Sequence, residues 1–165
     1  MTQAEVTNRL QKASRIPMLV SLDGEWGLSM RLSGTTRFPK NMMLGAIEDN
    51  ALIEEYGKEV GRQCREMGIH INFAPDMDVN SNVDNPVIGL RSFGENPEAV
   101  SEKGIAYARG LESTGILSVS KHFPGHGDTS EDSHETLPSC AITGPAWIAW
   151  NFFLLNVIYM MGSPG

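Results

Sequence analysis

The chain has 165 residues, 41% hydrophobic and 20% charged, with a formal net charge of -7. That is about one globular domain, and the acidic balance excludes a nucleic-acid partner, which would need a basic patch that the sequence lacks. Two cysteines, Cys64 and Cys140, neither in a CxxC pair, exclude a disulfide scaffold.

The opening stretch, MTQAEVTNRLQKASRIP, is polar and has no apolar signal-peptide core, so it leaves the compartment open. Residues 3–13 read as the end of a helix. Pro17 to Leu22 (PMLVSL) reads as a strand that runs straight into Asp23-Gly24-Glu25-Trp26-Gly27. Residues 28–44 read as irregular. From Glu48 to Met67 the apolar residues Leu52, Ile53, Tyr56, Val60, Cys64 and Met67 recur three or four apart, which predicts a helix with one apolar face. Gly68 is its stop.

Ile69 to Ala74 (IHINFA) is the second strand, ending in Pro75-Asp76-Met77-Asp78. A loop rich in Asn, Pro and Gly follows and contains Arg91. Asn96 is placed to cap a helix, Pro97 fits its first position, and Glu98 suits the positive end of the dipole. Val100, Gly104, Tyr107, Ala108 and Leu111 form its inner face. Gly115 lies beyond its end, and Ile116 to Ser120 reads as the third strand.

The three strands start roughly fifty residues apart, with helices between the second and third, so the chain is a βα repeat. Polar residues past every strand suggest a TIM-type (β/α)8 barrel, whose chemistry sits at the strands' carboxyl ends. Such a barrel takes roughly 250 residues. The expected fold is therefore α/β, about half of a barrel over residues 1–138, with a different segment over 139–165. Within that segment Ala146 to Met161 (AWIAWNFFLLNVIYMM) has only Asn151 and Asn156 polar, and residues 122–165 contain no Lys or Arg. It reads as non-homologous sequence, a buried core helix, or a membrane contact over 146–161 with Trp147, Trp150 and Tyr159 as interface aromatics.

The densest chemistry is Lys121 to Pro138, KHFPGHGDTSEDSHETLP. A metal reading takes His122, His126, Asp128, Asp132 and His134, but Pro124 and Gly125 deny the HxxxH pair a helix. A bland reading makes the stretch a polar loop satisfying its own backbone. A catalytic reading takes Asp132-Ser133-His134 together, since a carboxylate beside an imidazole orients the ring for proton transfer near neutral pH. Asp23 is a binding group or a turn former. Glu25 with Trp26 is a sugar platform or packing. Arg91 is a ligand fork or a salt bridge. Lys121 with His122 suits hydrogen bonding to a polyhydroxylated ligand. Asp76 and Asp78 are ligand-binding groups or turn formers, and the turn is the preferred reading.

Taken in order, SLDGEWGLSMRL, TRFPKNMMLGA, GIHINFAPDMDVN, NPVIGLRSFGE and KHFPGHGDTSEDSHETLP resemble glycoside hydrolase family 3, in its β-N-acetylglucosaminidase branch, over about residues 10 to 138. The resemblance implies a (β/α) barrel that removes a terminal β-linked N-acetylglucosamine with retention, acting on a carbohydrate such as a peptidoglycan or chitin fragment. It implies His134 as acid/base oriented by Asp132, with Asp23, Arg91, Lys121 and His122 holding sugar hydroxyls. No cofactor or metal is implied. The family's nucleophile, an Asp after a later strand, has no counterpart among these 165 residues, so the polypeptide alone is expected to be inactive. A non-catalytic sugar-binding remnant and a His-rich metal-dependent hydrolase stay as alternatives.

Overall fold

A computed structural model describes residues 2–123 and 125–132. The elements run α1 (Gln3–Ala13), β1 (Ser21–Leu22), a 3-10 turn (Leu28–Met30), α2 (Asn41–Gly45), α3 (Asn50–Glu66), β2 (Ile71–Asn72), a second 3-10 turn (Gly89–Arg91), α4 (Pro97–Ser113) and β3 (Leu117–Ser118). The fold is α/β. The strands form one parallel sheet in the order β1-β2-β3, with Ser21 opposite Ile71 and Ile71 opposite Leu117. The described residues fall into two compact units: 1–39, 49–75 and 106–120, and then 40–48, 76–105 and 121 onward.

The first unit holds the sheet, α1, α3 and the second half of α4. Each helix start follows from a local cap. Thr2 and Glu5 form a reciprocal capping box on α1, and the Asp49 carboxylate accepts the Ala51 N–H at 2.9 Å on α3. Gly68, at φ 71°, takes the left-handed position that ends α3. Of the expected apolar face of α3, Ile53, Val60 and Cys64 are fully buried, whereas Leu52 is 56% exposed. The seam instead runs over glycines. A Cβ on Gly57 would lie 2.4 Å from the Tyr107 carbonyl oxygen, and one on Gly110 would lie 2.2 Å from that of Glu54. The α3 and α4 backbones therefore meet with no room for side chains at the crossing. Tyr107 is buried there and stacks on Tyr56 with ring centroids 5.2 Å apart.

The strands are shorter than the apolar runs that predict them, and the reason is chemical. Two side chains, His70 just before β2 and Asn72 within it, take over donors that would continue the β1 ladder. His70 Nδ1 accepts the Val20 N–H at 3.1 Å on one side. On the other, Asn72 Oδ1 accepts the Gly24 N–H at 2.9 Å and Asn72 Nδ2 donates to the Gly24 carbonyl at 3.1 Å. The Tyr107 hydroxyl also donates to the Gly24 carbonyl, at 3.2 Å. The turn after β1, which carries Asp23, is thus held on its neighbour's backbone by two fully buried side chains. Glu25 is fully buried as well, so it is not an open sugar platform.

The second unit contains α2, which the sequence does not signal, and the first half of α4. Asn96 Oδ1 accepts the Ala99 N–H at 2.8 Å and caps α4 as expected. The α2 residue Asn41, fully buried, donates to the Arg91 carbonyl at 2.8 Å. The Lys103 ammonium reaches the Ile47 carbonyl. Among the described residues no helix is long and apolar enough to cross a membrane. The apolar stretch 146–161 lies outside the described residues.

Candidate active site

A backbone contact assembles the site in the second unit. Asp76 and Lys121 form an isolated parallel bridge, with the Met77 N–H donating to the Lys121 carbonyl at 2.7 Å. This lays the PDMD turn beside the start of KHFPGHG. Asp76 Oδ1 accepts the Asp78 N–H at 2.9 Å, so Asp76 does cap its own turn. Asp78 does more than the sequence suggests. Its Oδ2 faces His122 Nδ1 at 2.5 Å and accepts the His122 backbone N–H at 3.1 Å, while its Oδ1 accepts the His126 backbone N–H at 2.5 Å.

Arg91 completes the cluster. Its guanidinium Nη2 lies 3.1 Å from His122 Nε2 and 3.5 Å from Asp76 Oδ2, and its Nη1 donates to the Val87 carbonyl at 3.2 Å. The side chains of Asp76 and Asp78 are buried, whereas Arg91 keeps 20% and His122 31% of side-chain exposure. A partly open imidazole and guanidinium thus sit over two buried carboxylates. Burial pushes the Asp78 carboxyl up, but the hydrogen bonds that it accepts from His122 and from the His126 N–H outweigh it and hold Asp78 below the usual carboxylate range.

The loop beyond is pinned by a polar network. Asn85 Nδ2 donates to the carbonyls of His126 at 2.6 Å and Thr129 at 2.8 Å, and Asn85 Oδ1 accepts the N–H groups of Val87 and Ile88. The Thr129 hydroxyl lies 2.6 Å from His126 Nδ1. Gly127 seats this loop directly on the neighbouring backbone, since a Cβ there would lie 1.8 Å from the Val79 carbonyl oxygen.

Of the candidate residues, Arg91, Lys121 and His122 come together in the second unit. Asp23 belongs to the first unit, where its carboxylate pairs with Arg31 at 3.0 Å. Asp132 is described and half-buried. Its expected partner His134 lies outside the described residues. Asp78 is assigned by the sequence to the turn, and Asn85 and Thr129 are not singled out by it. Their signal was available: parallel neighbours put the acids after β2 beside the cation and imidazole after β3.

Asp76, Asp78 and His122 could each offer a ligand atom, all within 4.8 Å of one another. That donor set is already engaged. Asp78 Oδ2 and His122 Nδ1 face each other, and the Arg91 guanidinium supplies a positive charge beside Asp76. His126 Nδ1 faces Thr129.

Residues 1–144 match the glycosyl hydrolase family 3 N terminal domain. The chain belongs to this family. The family 3 domain is 42% identical over 143 residues to "Beta-hexosaminidase A" of Pseudoalteromonas piscicida, covering 81% of this chain and 24% of that protein. It is 43% identical over 123 residues to "Beta-hexosaminidase LpqI" of Mycobacterium tuberculosis, covering 72% of this chain and 31% of that protein. A solved glycoside hydrolase family 3 β-N-acetylglucosaminidase from Paenibacillus superposes with a TM-score of 0.90 at 38% identity, over 97% of this chain and 31% of that one. The chain therefore spans 24% to 31% of the length of these relatives.

Proposed function

We propose that this chain carries the sugar-binding groups and the proton-transfer loop of a retaining β-N-acetylhexosaminidase built on a (β/α)8 barrel. The substrate would be a glycan with a terminal β-linked N-acetylglucosamine, such as a peptidoglycan or chitin fragment. The observation that carries this reading is the Asp78–His122–Arg91 network, built by the segments that follow β2 and β3 in the chain; barrels place their chemistry in such segments. It presents donors and an imidazole to a ligand over buried carboxylates, as recognition of a polyhydroxylated ring requires. The names of the relatives support the choice of an amino sugar.

Arg91, Lys121 and His122, together with Asp23, would bind the hydroxyls of the terminal sugar. His134, oriented by Asp132, would give its proton to the glycosidic oxygen as the C1–O bond breaks and a carboxylate nucleophile closes on C1. It would then take a proton from the water that hydrolyses the glycosyl-enzyme. A positioned acid/base is worth about 10²–10⁴-fold, and the two-step route is the common retaining scheme. None of these 165 residues is assigned the nucleophile's role.

The test uses the purified 165-residue chain. Calorimetry is expected to show N-acetylglucosamine binding that Asp23→Ala weakens, with no turnover of an aryl N-acetyl-β-glucosaminide. Turnover that His134→Ala abolishes would overturn the assignment of the nucleophile elsewhere. Activity lost to a chelator and restored by zinc would favour a metal-dependent hydrolase instead.

A further inference from the structure

The geometry points to Asp78 as a positioning residue that holds His122 as a neutral imidazole with its proton on Nδ1. The inference rests on the sugar-site reading only for what the ring then does. A guanidinium has donors and no acceptor, so His122 Nε2, 3.1 Å from Arg91 Nη2, must present its lone pair. A carboxylate has acceptors and no donor, so His122 Nδ1, 2.5 Å from Asp78 Oδ2, must carry the hydrogen. The two partners independently demand the same tautomer. Asp76 Oδ2 lies 3.9 Å from the same Nδ1, so both carboxylates face the Nδ1–H while the guanidinium meets Nε2.

The fixed tautomer sets the site's hydrogen-bond polarity. Lys121 and Arg91 only donate, so among these three side chains His122 Nε2 is the acceptor, and its lone pair is held by Arg91 Nη2. The Arg91 fork is thereby fixed in place, and a sugar hydroxyl that accepts from it meets an oriented donor. Asp78 also ties the ring to the loop that leads to Asp132, because its other oxygen holds the His126 N–H at 2.5 Å. An asparagine at 78 has the same shape but cannot serve both sides. With its oxygen toward His122, its amide hydrogens face the His126 N–H. With the amide reversed, they face His122 Nδ1–H.

The experiment is a long-range ¹H–¹⁵N spectrum of the imidazoles of the full ¹⁵N-labelled chain at neutral pH, with His122 assigned through the signal lost in His122→Asn. The expected result is a protonated Nδ1 and a bare Nε2 at His122. The opposite tautomer, or a fast-exchanging mixture, overturns the proposal without need of any variant at 78. In Asp78→Asn the tautomers should mix, and N-acetylglucosamine affinity should fall about tenfold or more. The exposed neighbour substitution Asp84→Asn should leave both readouts unchanged. If Asp78→Asn keeps the single tautomer and the affinity, Asp78 does not position the ring. If the wild-type chain binds no sugar but shows the Nδ1–H tautomer, lost in Asp78→Asn, the positioning role stands and the sugar-site reading fails.

Discussion

The two units bury different things. In the first, Leu28, Ile53, Val60, Leu111 and Ile116 fill most of the interior, with fewer buried polar groups, Thr7, Glu25, Gln63 and Asn72 among them, and the Asn72 amide serves the backbone of a single turn. In the second, much of the interior is polar: Asn41, Asp76, Asp78, Asn85, Ser92, Lys103, His126 and Thr129 are all buried. An apolar interior needs only close packing. A polar one is stable only if its groups satisfy each other, and a single deletion then leaves several partners exposed to the loss. The first arrangement makes a scaffold. The second holds charged groups in fixed positions, and it contains Arg91, Lys121 and His122.

The contrast can be attacked from its strongest point downward. Gly110→Leu should drive a side chain into the Glu54 carbonyl and cost about 3 kcal/mol or more in urea unfolding. A loss below about 1 kcal/mol would show that the helix crossing relaxes easily and that packing does not dominate the first unit. Asn85→Ala removes the amide that holds four backbone groups and should cost about 2 kcal/mol. Hydrogen exchange should speed up at Val87 and Ile88 and stay unchanged along α3; equal loss on α3 would erase the distinction between the units.

Tyr107→Phe deletes the hydroxyl that donates to the Gly24 carbonyl and meets Tyr56, and should cost about 1 kcal/mol, because Asn72 still holds that turn. The smallest effect is at the surface. Glu59 is held at about 2, first by its hydrogen bond to Arg62 and then by Gln63, yet its side chain is 39% exposed, so Glu59→Gln should change stability by less than about 0.5 kcal/mol.

Acid sharpens the same contrast. Asp78 is lower in the folded than in the unfolded chain, so its contribution is complete above the unfolded value of about 4 and is lost as pH falls through the lower folded value. Glu59 loses its contribution over the same acid range. High salt screens the exposed pair and leaves the buried one. In about 1 M salt, the acid loss that remains should therefore be smaller in Asp78→Asn than in the wild type.

Much of the scaffold was legible in the sequence because its signals are local. The three-to-four spacing from Ile53 to Cys64, the Asn96-Pro97 start and the Gly68 stop each depend on a few neighbouring residues. Leu52 was misplaced because the spacing could not show that Gly57 and Gly110 would bring two backbones into contact. The site was legible in part. Arg91, Lys121 and His122 were marked by residue type and by their positions at strand ends and in loops. Asp78 was read as a turn former because Pro75 and Asp76 beside it make a turn plausible. Its partners are more than forty residues away in sequence, and the bridge between Asp76 and Lys121 brings them near. His134 lies outside the described residues, so its partnership with Asp132 rests on the family resemblance.

The short strands have one more consequence. Two or three backbone rungs do little to stop parallel strands from sliding past each other. Here His70 and Asn72 grip the β1 chain at amides four residues apart, Val20 and Gly24, like two teeth of a key. A slip by two residues would preserve the in–out alternation of side chains yet disengage both teeth at once. The alignment of the sheet is thus encoded in two side chains, and the position of Asp23 along its strand is encoded with it.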